Sequence, residues 1–419
     1  MKTLKMLIIS HGFPPDMGGA SNRAWNIANA LKSRGHEITV LTAFPYYPHG
    51  RIPSGHGFRL FRKERTEGMD VLRVWVPKLR TVGLLNRLLI YLGFTLSYCL
   101  TLLVAVRAKP QILYYVSPYS LSFFSLPACL FGRMKAELVL LDLADLWPEV
   151  IVEVGGIRSP MLEKLLVTMA RINSRLCNFI TPITSSMKER TVQLGLPAPK
   201  IEVVELAVDT AFFRPRDKLD ISDKRFEGKF IAEYSGILSP KYDFQSLLEA
   251  AKIVGEKTDR VLFLIRGDGE YRDYIVRSAE GIANVLVLTE IETLQRVVDY
   301  LNLADVLLCP FKDSREGSTI VPSKVIEYFA VAKPVICSAR GETERVITRS
   351  GSGIVVAPSD PRALAEAVLK VYSDRRLSRK MGENARKLAE TYFSLRNIAS
   401  KIENLYERNR QTVAQTVTT

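Results

Sequence analysis

The sequence is poor in the residues that usually announce chemistry. Its 419 residues include four histidines, His11, His36, His49 and His56, all before residue 57. Five cysteines, Cys99, Cys129, Cys177, Cys309 and Cys337, contain no Cys-x-x-Cys pair. Histidine so sparse and one-sided, with no Asp-x-Asp pair, argues against a metal cluster. The scattered cysteines argue against a disulfide framework or zinc ribbon and fit a reducing cytosol. No Gly-x-Ser-x-Gly elbow occurs, which excludes the hydrolases built on it. No Walker loop occurs either, and the first strand lacks a clean Gly-x-Gly-x-x-Gly, so a dehydrogenase fits poorly. The start, "MKTLKMLIISHGFPP", is a short apolar run closed by proline and charge without a small-residue cleavage site. It reads as a buried first strand rather than a signal peptide.

Acidic charge is also scarce at one end. The chain carries 58 Lys and Arg against 44 Asp and Glu, a net charge of +14. Residues 1–110 hold 16 of those cations and only 5 of the acids. A basic lobe suits nucleic acid, but no Arg-rich run, helix-turn-helix spacing or zinc-finger pattern accompanies it, so no nucleic acid is expected. An anionic membrane surface or a phosphate-bearing substrate is the better partner. Apolar residues make up 47% and charged residues 24%, as in ordinary globular proteins, and the length suits two domains of about 200 residues.

What is abundant is a rhythm of short apolar run, turn and amphipathic helix. "KMLIIS", "HEITVLT", "QILYYVS", "ELVLLD" and "NFITPI" read as strands in the first half. "KFIAEYSG", "RVLFLIRG", "NVLVL", "ADVLLCPF", "KPVICS" and "SGIVVAP" read as strands in the second. Runs apolar on both faces and alternating with helices predict parallel sheets covered on both sides, an α/β class of doubly wound domains. The rhythm pauses near "VDTAFFRPRDKLDISDKRFEG", where the inter-domain hinge is placed. This gives domains 1–205 and 206–394 facing a cleft, with a helix at about 395–419 packing back on the first. Ligands of such sheets bind beyond the carboxyl ends of the strands. One segment breaks the pattern: "LLIYLGFTLSYCLTLLVAV", residues 88–106, has no charge and is marginal in length for a membrane span. Interleaved Tyr, Thr and Ser favour a helix packed on the first domain, with one face reaching the bilayer surface as an alternative.

Four stretches can carry chemistry. In "SHGFPPDMGGASNRAWNIANAL", Gly18 and Gly19 follow the first strand and lead into a helix that Ser21 or Asn22 can cap. Open amides there suit an anion such as a diphosphate. In "YSGILSPKYDF", Gly236 ends a strand and Lys241 can reach a phosphate. In "LIRGDGEYRDYI", Gly267 and Gly269 permit a sharp turn beside a ligand. In "SREGSTIVPSKVIEYFAVAKPVI", Pro322 suits a first helical position, and Ser318 and Thr319 can cap that helix or free its amides. Lys324 and Glu327 lie three apart on one helix face. They form either a surface ion pair, or a lysine for phosphate beside a carboxylate for two ribose hydroxyls.

Together these stretches resemble the retaining glycosyltransferases of family 4, with the two-Rossmann GT-B fold, in the WbuB-like branch of colanic-acid and O-antigen enzymes. The landmarks are "FPPDMGGA", "RGHEITVLTAFPYYPHGR", "DLWPE", "ITPITSSMKERTVQLGLP", "VDTAFFRP", "GDGEYRD", "VPSKVIEYFAVAKPVI" and "SGSGIVVAPSDPRALAEAV", in order over nearly the whole chain. The resemblance implies a nucleotide-sugar site in the second domain, usually for a UDP-sugar, with Glu327 as the ribose-binding glutamate. Lys324 and Lys241 would neutralise the leaving diphosphate, and Gly18 and Gly19 would face it from the first domain. Gly236, Gly267, Gly269, Ser318, Thr319 and Pro322 complete the donor-side set. His11 and Asp145 fall on the acceptor side. No cofactor and no metal are required, the donor being the UDP-sugar.

The chain departs from its relatives at three places. Thr319 stands where many carry a first glutamate, separated from the second by seven residues, and Glu316 lies three residues earlier. Ile237 stands at an arginine position, with Lys241 one place early. Ala144 stands where many have an active-site histidine. The implied activity is transfer of a hexose or N-acetylhexosamine to an acceptor hydroxyl, with catalytic roles for Asp145, Lys324 and Glu327. The acceptor is expected to be a lipid-diphosphate-linked sugar, and the protein cytoplasmic and peripheral on the inner face of the membrane. A UDP-sugar 2-epimerase of the same architecture and a non-catalytic nucleotide-sugar-binding subunit stand beside this reading.

Overall fold

The computed structural model describes residues 2–16, 18–46, 60–77, 79, 84–104, 109–117, 120–145, 159–217, 224–290 and 293–418. The chain divides into two compact units: Met1–Ala207 with Leu395–Thr419, and Val208–Ser394. His49, His56, the "WPE" of "DLWPE" and the middle of the hinge stretch lie outside the described residues.

Unit 1 runs β1 (Lys5–Ser10), α1 (Gly19–Lys32), β2 (Glu37–Ala43), β3 (Phe61–Thr66), β4 (Met69–Val74), α2 (Leu84–Val104), β5 (Ile112–Val116), α3 (Leu126–Lys135), β6 (Leu138–Leu143), α4 (Pro160–Leu176), β7 (Phe179–Pro182) and α5 (Ser185–Gln193). The sheet order is β3-β4-β2-β1-β5-β6-β7, parallel except for β3, which runs antiparallel to β4. β5, β6 and β7 are buried at every residue, which is why they read as unbroken apolar runs. β3, "FRKERT", is a mostly exposed, charged edge that resists pairing with another chain. Segment 88–106 proves to be most of α2, one side buried through Ile90, Tyr91, Phe94, Tyr98 and Leu102. Inside the unit, Arg23 of α1 is buried and grips Asp142 of β6 with two bonds of 2.8 and 3.2 Å. Its remaining donors go to the Val204 and Glu205 carbonyls, and Asp142 also accepts from Tyr114 at 3.0 Å. A buried charge so fully bonded is tolerated, whereas removing either partner would strand the other.

Unit 2 runs β8 (Phe230–Ser235), α6 (Phe244–Gly255), β9 (Val261–Arg266), α7 (Arg272–Ala279), β10 (Val285–Leu288), α8 (Leu294–Leu303), β11 (Val306–Pro310), α9 (Arg315–Thr319), α10 (Ser323–Ala330), β12 (Val335–Ser338), α11 (Glu342–Ser350), β13 (Gly353–Val356), α12 (Pro361–Ser373) and α13 (Arg375–Thr391). All six strands are parallel in the order β10-β9-β8-β11-β12-β13. The winding direction reverses between β8 and β11, and that switch point opens a crevice at their carboxyl ends. Side chains of Asp243, Thr293, Asp360 and Asp374 cap α6, α8, α12 and α13.

The chain then returns to unit 1 as α14 (Leu395–Thr418), which packs on α1. Buried Glu403 anchors it, accepting from Arg34 at 2.9 Å and lying 3.0 Å from His36 Nε2. Burial opposes ionisation of Glu403, but the bonds from Arg34 and His36 outweigh it and hold the carboxyl below its ordinary range. Its contribution is therefore present above the unfolded value and lost as pH falls through the lowered one. Glu403→Ala is expected to destabilise unit 1 by about 3 kcal/mol at pH 7. The gap from wild type should close in urea denaturation repeated below the ordinary carboxyl range. A constant gap across pH would show that packing, not the ion pair, sets the cost.

Candidate functional site

The switch point of unit 2 gathers most of the donor-side residues singled out from sequence. Gly236 follows β8, Gly267 and Gly269 follow β9, and α10 begins after β11. The glycine loops fit together by backbone alone: the Gly236 amide donates to Arg266 O, and the Leu238 amide to Asp268 O at 2.9 Å. Gly267 has φ 143°. A Cβ there would come within 1.8 Å of the Gly236 carbonyl, so the position tolerates only glycine. Gly267 thus first serves to close the strand ends.

Lys324 is the organising side chain. It is buried at 9% exposure, with Nζ donating to Tyr234 Oη at 2.6 Å. Tyr234 in turn donates to the Ile237 carbonyl at 2.6 Å. The ammonium also lies 4.0 and 3.9 Å from the ring centres of Tyr234 and Tyr242, within cation–π range of both. A Cβ on Gly236 would sit 2.6 Å from Nζ, so the missing side chain is what admits the lysine to the crest of β8. The i, i+3 surface ion pair is not what forms; Lys324 turns to the tyrosines instead. Burial pulls its pKa down to about 8, with Cys309 and Glu327 pulling the other way. Glu327, half-buried, is pushed up to about 7 by burial against the attraction of Lys324.

The helix starts differ from the sequence reading. α10 is capped by Pro322, which has extended ψ, and Ser323 opens the helix without a side-chain cap. Ser318 and Thr319 end α9, whose own cap is Ser314. They therefore do not cap α10. In unit 1, α1 starts at Gly19 with Gly18 as its cap, and the Ser21 hydroxyl donates to Asp16 O at 2.7 Å. Neither Ser21 nor Asn22 caps it. Its opening amides therefore follow β1 with no side-chain cap bond among the described residues, a helix start of the kind that binds anions. Lys241 is exposed in the loop between β8 and α6, and Ile237 is exposed nearby. Asp145 and Ala144 follow β6, half-buried. His11, just after β1, lies 2.9 Å by Nε2 from the Tyr91 hydroxyl of α2. Burial lowers His11 to about 4, so it is neutral at physiological pH, and its Nδ1 is buried without a partner among the described residues. The side chain of Glu316 lies outside the described ones.

Sequence reasoning missed three features. Tyr234 of β8 and Tyr242 of the loop after it cage Lys324, an arrangement visible only once β8 lies beside β11. Cys309 and Cys337 meet in register on β11 and β12, both fully buried near Lys324. Buried Glu233 pairs with Arg266 at 3.1 Å, and Arg266 stacks on Tyr300 at 3.7 Å, bracing β8 and β9 under the glycine loops. Among the hollows of the described residues in unit 2, one of ≈ 570 Å³ shares Tyr242 with the lysine cage and is walled by Tyr271, Tyr274 and Lys312. Another, of ≈ 770 Å³, lies at the opposite ends of the strands near Lys229, Gly255 and Asn284, away from this chemistry.

Comparison with known proteins places this arrangement. The glycosyl transferase 4-like domain family matches residues 18–207, and the glycosyl transferases group 1 family matches residues 215–388. WcaI of Escherichia coli K12, named for colanic acid biosynthesis, is 23% identical over 96% of this chain and 99% of its own. The capsular polysaccharide biosynthesis glycosyltransferase CapM of Staphylococcus aureus is 22% identical over 58% of this chain and 64% of its own. Among solved structures, sucrose-phosphate synthase of Thermosynechococcus elongatus superposes with a TM-score of 0.71 at 16% identity, covering 98% of this chain and 99% of that one. HepE of Anabaena in complex with UDP-glucose gives 0.67 at 15%, covering 97% and 100%. With two glycosyltransferase domains accounting for both units, the chain belongs to the glycosyltransferases, has the GT-B fold, and is similar to enzymes named for colanic acid and capsule.

Proposed function

We propose that the chain moves a hexose or N-acetylhexosamine from a UDP-sugar to a hydroxyl of a lipid-diphosphate-linked acceptor, with retention at the anomeric carbon. The observation that carries the donor reading is the caged ammonium of Lys324 one turn from the half-buried carboxylate of Glu327, both on α10 at the switch point. A desolvated cation suits the diphosphate, and a carboxylate offers two acceptors to the paired hydroxyls of a ribose. HepE, similar in fold, was solved with UDP and with UDP-glucose, which supports a nucleotide-sugar donor. The relatives named for colanic acid and capsular polysaccharide biosynthesis support an acceptor in polysaccharide assembly; the reading places that acceptor at the cytoplasmic face of the membrane.

In this reading the bond between the anomeric carbon and the leaving phosphate oxygen breaks while the acceptor oxygen bonds on the same face. The acceptor proton passes to the departing phosphate oxygen. Lys324 meets the charge that develops on the diphosphate, with exposed Lys241 as a second cation, so the reading asks for no metal ion. The open start of α1 at Gly18 and Gly19 is given a phosphate as ligand. Asp145 orients the acceptor, and His11, neutral, serves it as a hydrogen-bonding group.

The test is release of nucleoside diphosphate from a panel of UDP-, GDP- and ADP-sugars, with and without bacterial lipid extract, in EDTA. Turnover with a UDP-sugar only when lipid is present, yielding a product with the donor's anomeric configuration, is the expected result. An inverted product, or turnover confined to another base, would overturn the reading.

A further inference from the structure

α2 has two unlike sides. Its buried side holds the helix to unit 1: Tyr91 reaches His11, Tyr98 donates to the Phe124 carbonyl, and Phe94 is fully enclosed. Its other side exposes Leu85, Leu89, Leu92, Leu96, Leu100 and Leu103, at 41–80% of their surface. At 100° per residue these six fall within an arc of about 80°, forming one unbroken leucine stripe roughly 27 Å long. α3, which packs on α2, also exposes Leu130 and Met134, and Phe123 is exposed just before it. α4, packed on α3, exposes Met161 and Leu165. Six exposed leucines along one side of a helix, with further exposed apolar side chains on the helices packed beside it, mark an interaction surface.

We propose that this leucine face is a bilayer-docking surface, seating unit 1 on anionic lipid with α2 lying in the plane of the headgroups. Charge selects the occupant. Arg133 on α3 is exposed within about 60° of Leu130, and Lys164 on α4 within about 60° of Met161, whereas Arg87 is exposed on the side of α2 away from the stripe. Residues 1–110 carry the threefold excess of cations already noted. Apolar side chains among cations match an anionic membrane surface. A second copy of the chain would bring the same cations face to face across a two-fold axis, which disfavours that contact. Spanning is disfavoured for a separate reason. α2 is long and apolar enough to cross a bilayer, yet half of Leu85–Leu103 is buried in the unit, including the Tyr91 contact with His11. Crossing would strip that side from the sheet, whereas lying flat uses only the side already exposed.

The proposal stands apart from the donor reading, and its test uses neither donor nor acceptor. The full chain is floated with vesicles of phosphatidylglycerol and phosphatidylcholine, and with phosphatidylcholine alone. Wild type should float with the anionic vesicles, and Leu89→Gln/Leu96→Gln/Leu100→Gln should lose at least tenfold in partitioning while keeping its melting temperature and far-ultraviolet spectrum. These positions are exposed, so the fold should tolerate the change. Single variants Leu92→Trp and Leu100→Trp report depth: both should be quenched by lipids brominated near the headgroup more than by lipids brominated at the chain end. Equal flotation of the triple variant and wild type would overturn the proposal, as would wild type failing to float. A triple variant that only turns a dimer into a monomer by size exclusion would reassign the stripe to a contact between copies. Stronger quenching from the chain end would replace docking by spanning.

Discussion

Lys324→Met is expected to lower kcat for sugar transfer by about three orders of magnitude, roughly 4 kcal/mol of transition-state stabilisation. The size follows from the surroundings of the ammonium. Wedged between two tyrosine rings and the bare backbone of Gly236, it is largely desolvated and fixed before substrate arrives. Methionine keeps an unbranched stem of similar bulk and removes only the charge, and Tyr234 keeps its bond to the Ile237 carbonyl. Lys324→Arg should not rescue, because the cage holds a compact cation and a planar guanidinium would strike the crest of β8. With its value pulled down to about 8, the free enzyme loses this charge above that pH. The alkaline limb of kcat/KM should therefore lie near pH 8. At saturating donor the limb should move upward, since a bound diphosphate favours the ammonium. A Lys324→Met enzyme within threefold of wild type would remove this residue from the chemistry.

The place of Lys324 on its helix is legible in the sequence, and its partners are not. Its position on α10 followed from Pro322 and the apolar runs on either side, because a strand buried on both faces leaves an unmistakable stretch such as "ADVLLCPF". The i, i+3 spacing then put Lys324 and Glu327 on one face. What spacing could not reveal is that Tyr234 lies 90 residues away along the chain and directly beneath the ammonium. The same holds for Arg23 and Asp142, 119 residues apart. Such partners are set by strand order, which no local pattern encodes. The hairpin of β3 and β4 escaped for the opposite reason: "FRKERT" is an edge strand whose charges hide its period. Segment 88–106 was legible as apolar, but only packing against unit 1 decides which side of it stays in water. Ile237, where the family resemblance implies an arginine, is exposed, while Lys324 brings a cation to the same strand end from another element, beside the bare backbone of Gly236.

Glu327→Ala should weaken UDP binding about a hundredfold, as two charge-assisted hydrogen bonds to a ribose are lost at about 1.5 kcal/mol each. Glu327→Gln keeps the shape and one acceptor oxygen, and should lose about tenfold. Calorimetry with 2′-deoxy-UDP separates this from a general loosening of the helix: wild type should discriminate against the deoxy ligand, and Glu327→Ala should not. Equal discrimination by both proteins would move the ribose elsewhere. The acid limb gives an independent reading. Glu327 is raised to about 7, so the free carboxylate is increasingly protonated below that pH, and UDP affinity should fall there in wild type but stay flat in Glu327→Gln. Folding runs the other way. Because the folded value lies above the unfolded one, the native state binds more protons between them, and stability declines as pH rises from the ordinary carboxyl range through about 7. Glu327→Gln should therefore melt higher than wild type at pH 8 while binding UDP less well. Only a carboxylate kept half-buried for a ligand would produce that pairing, since a residue serving the fold would lose stability and affinity together.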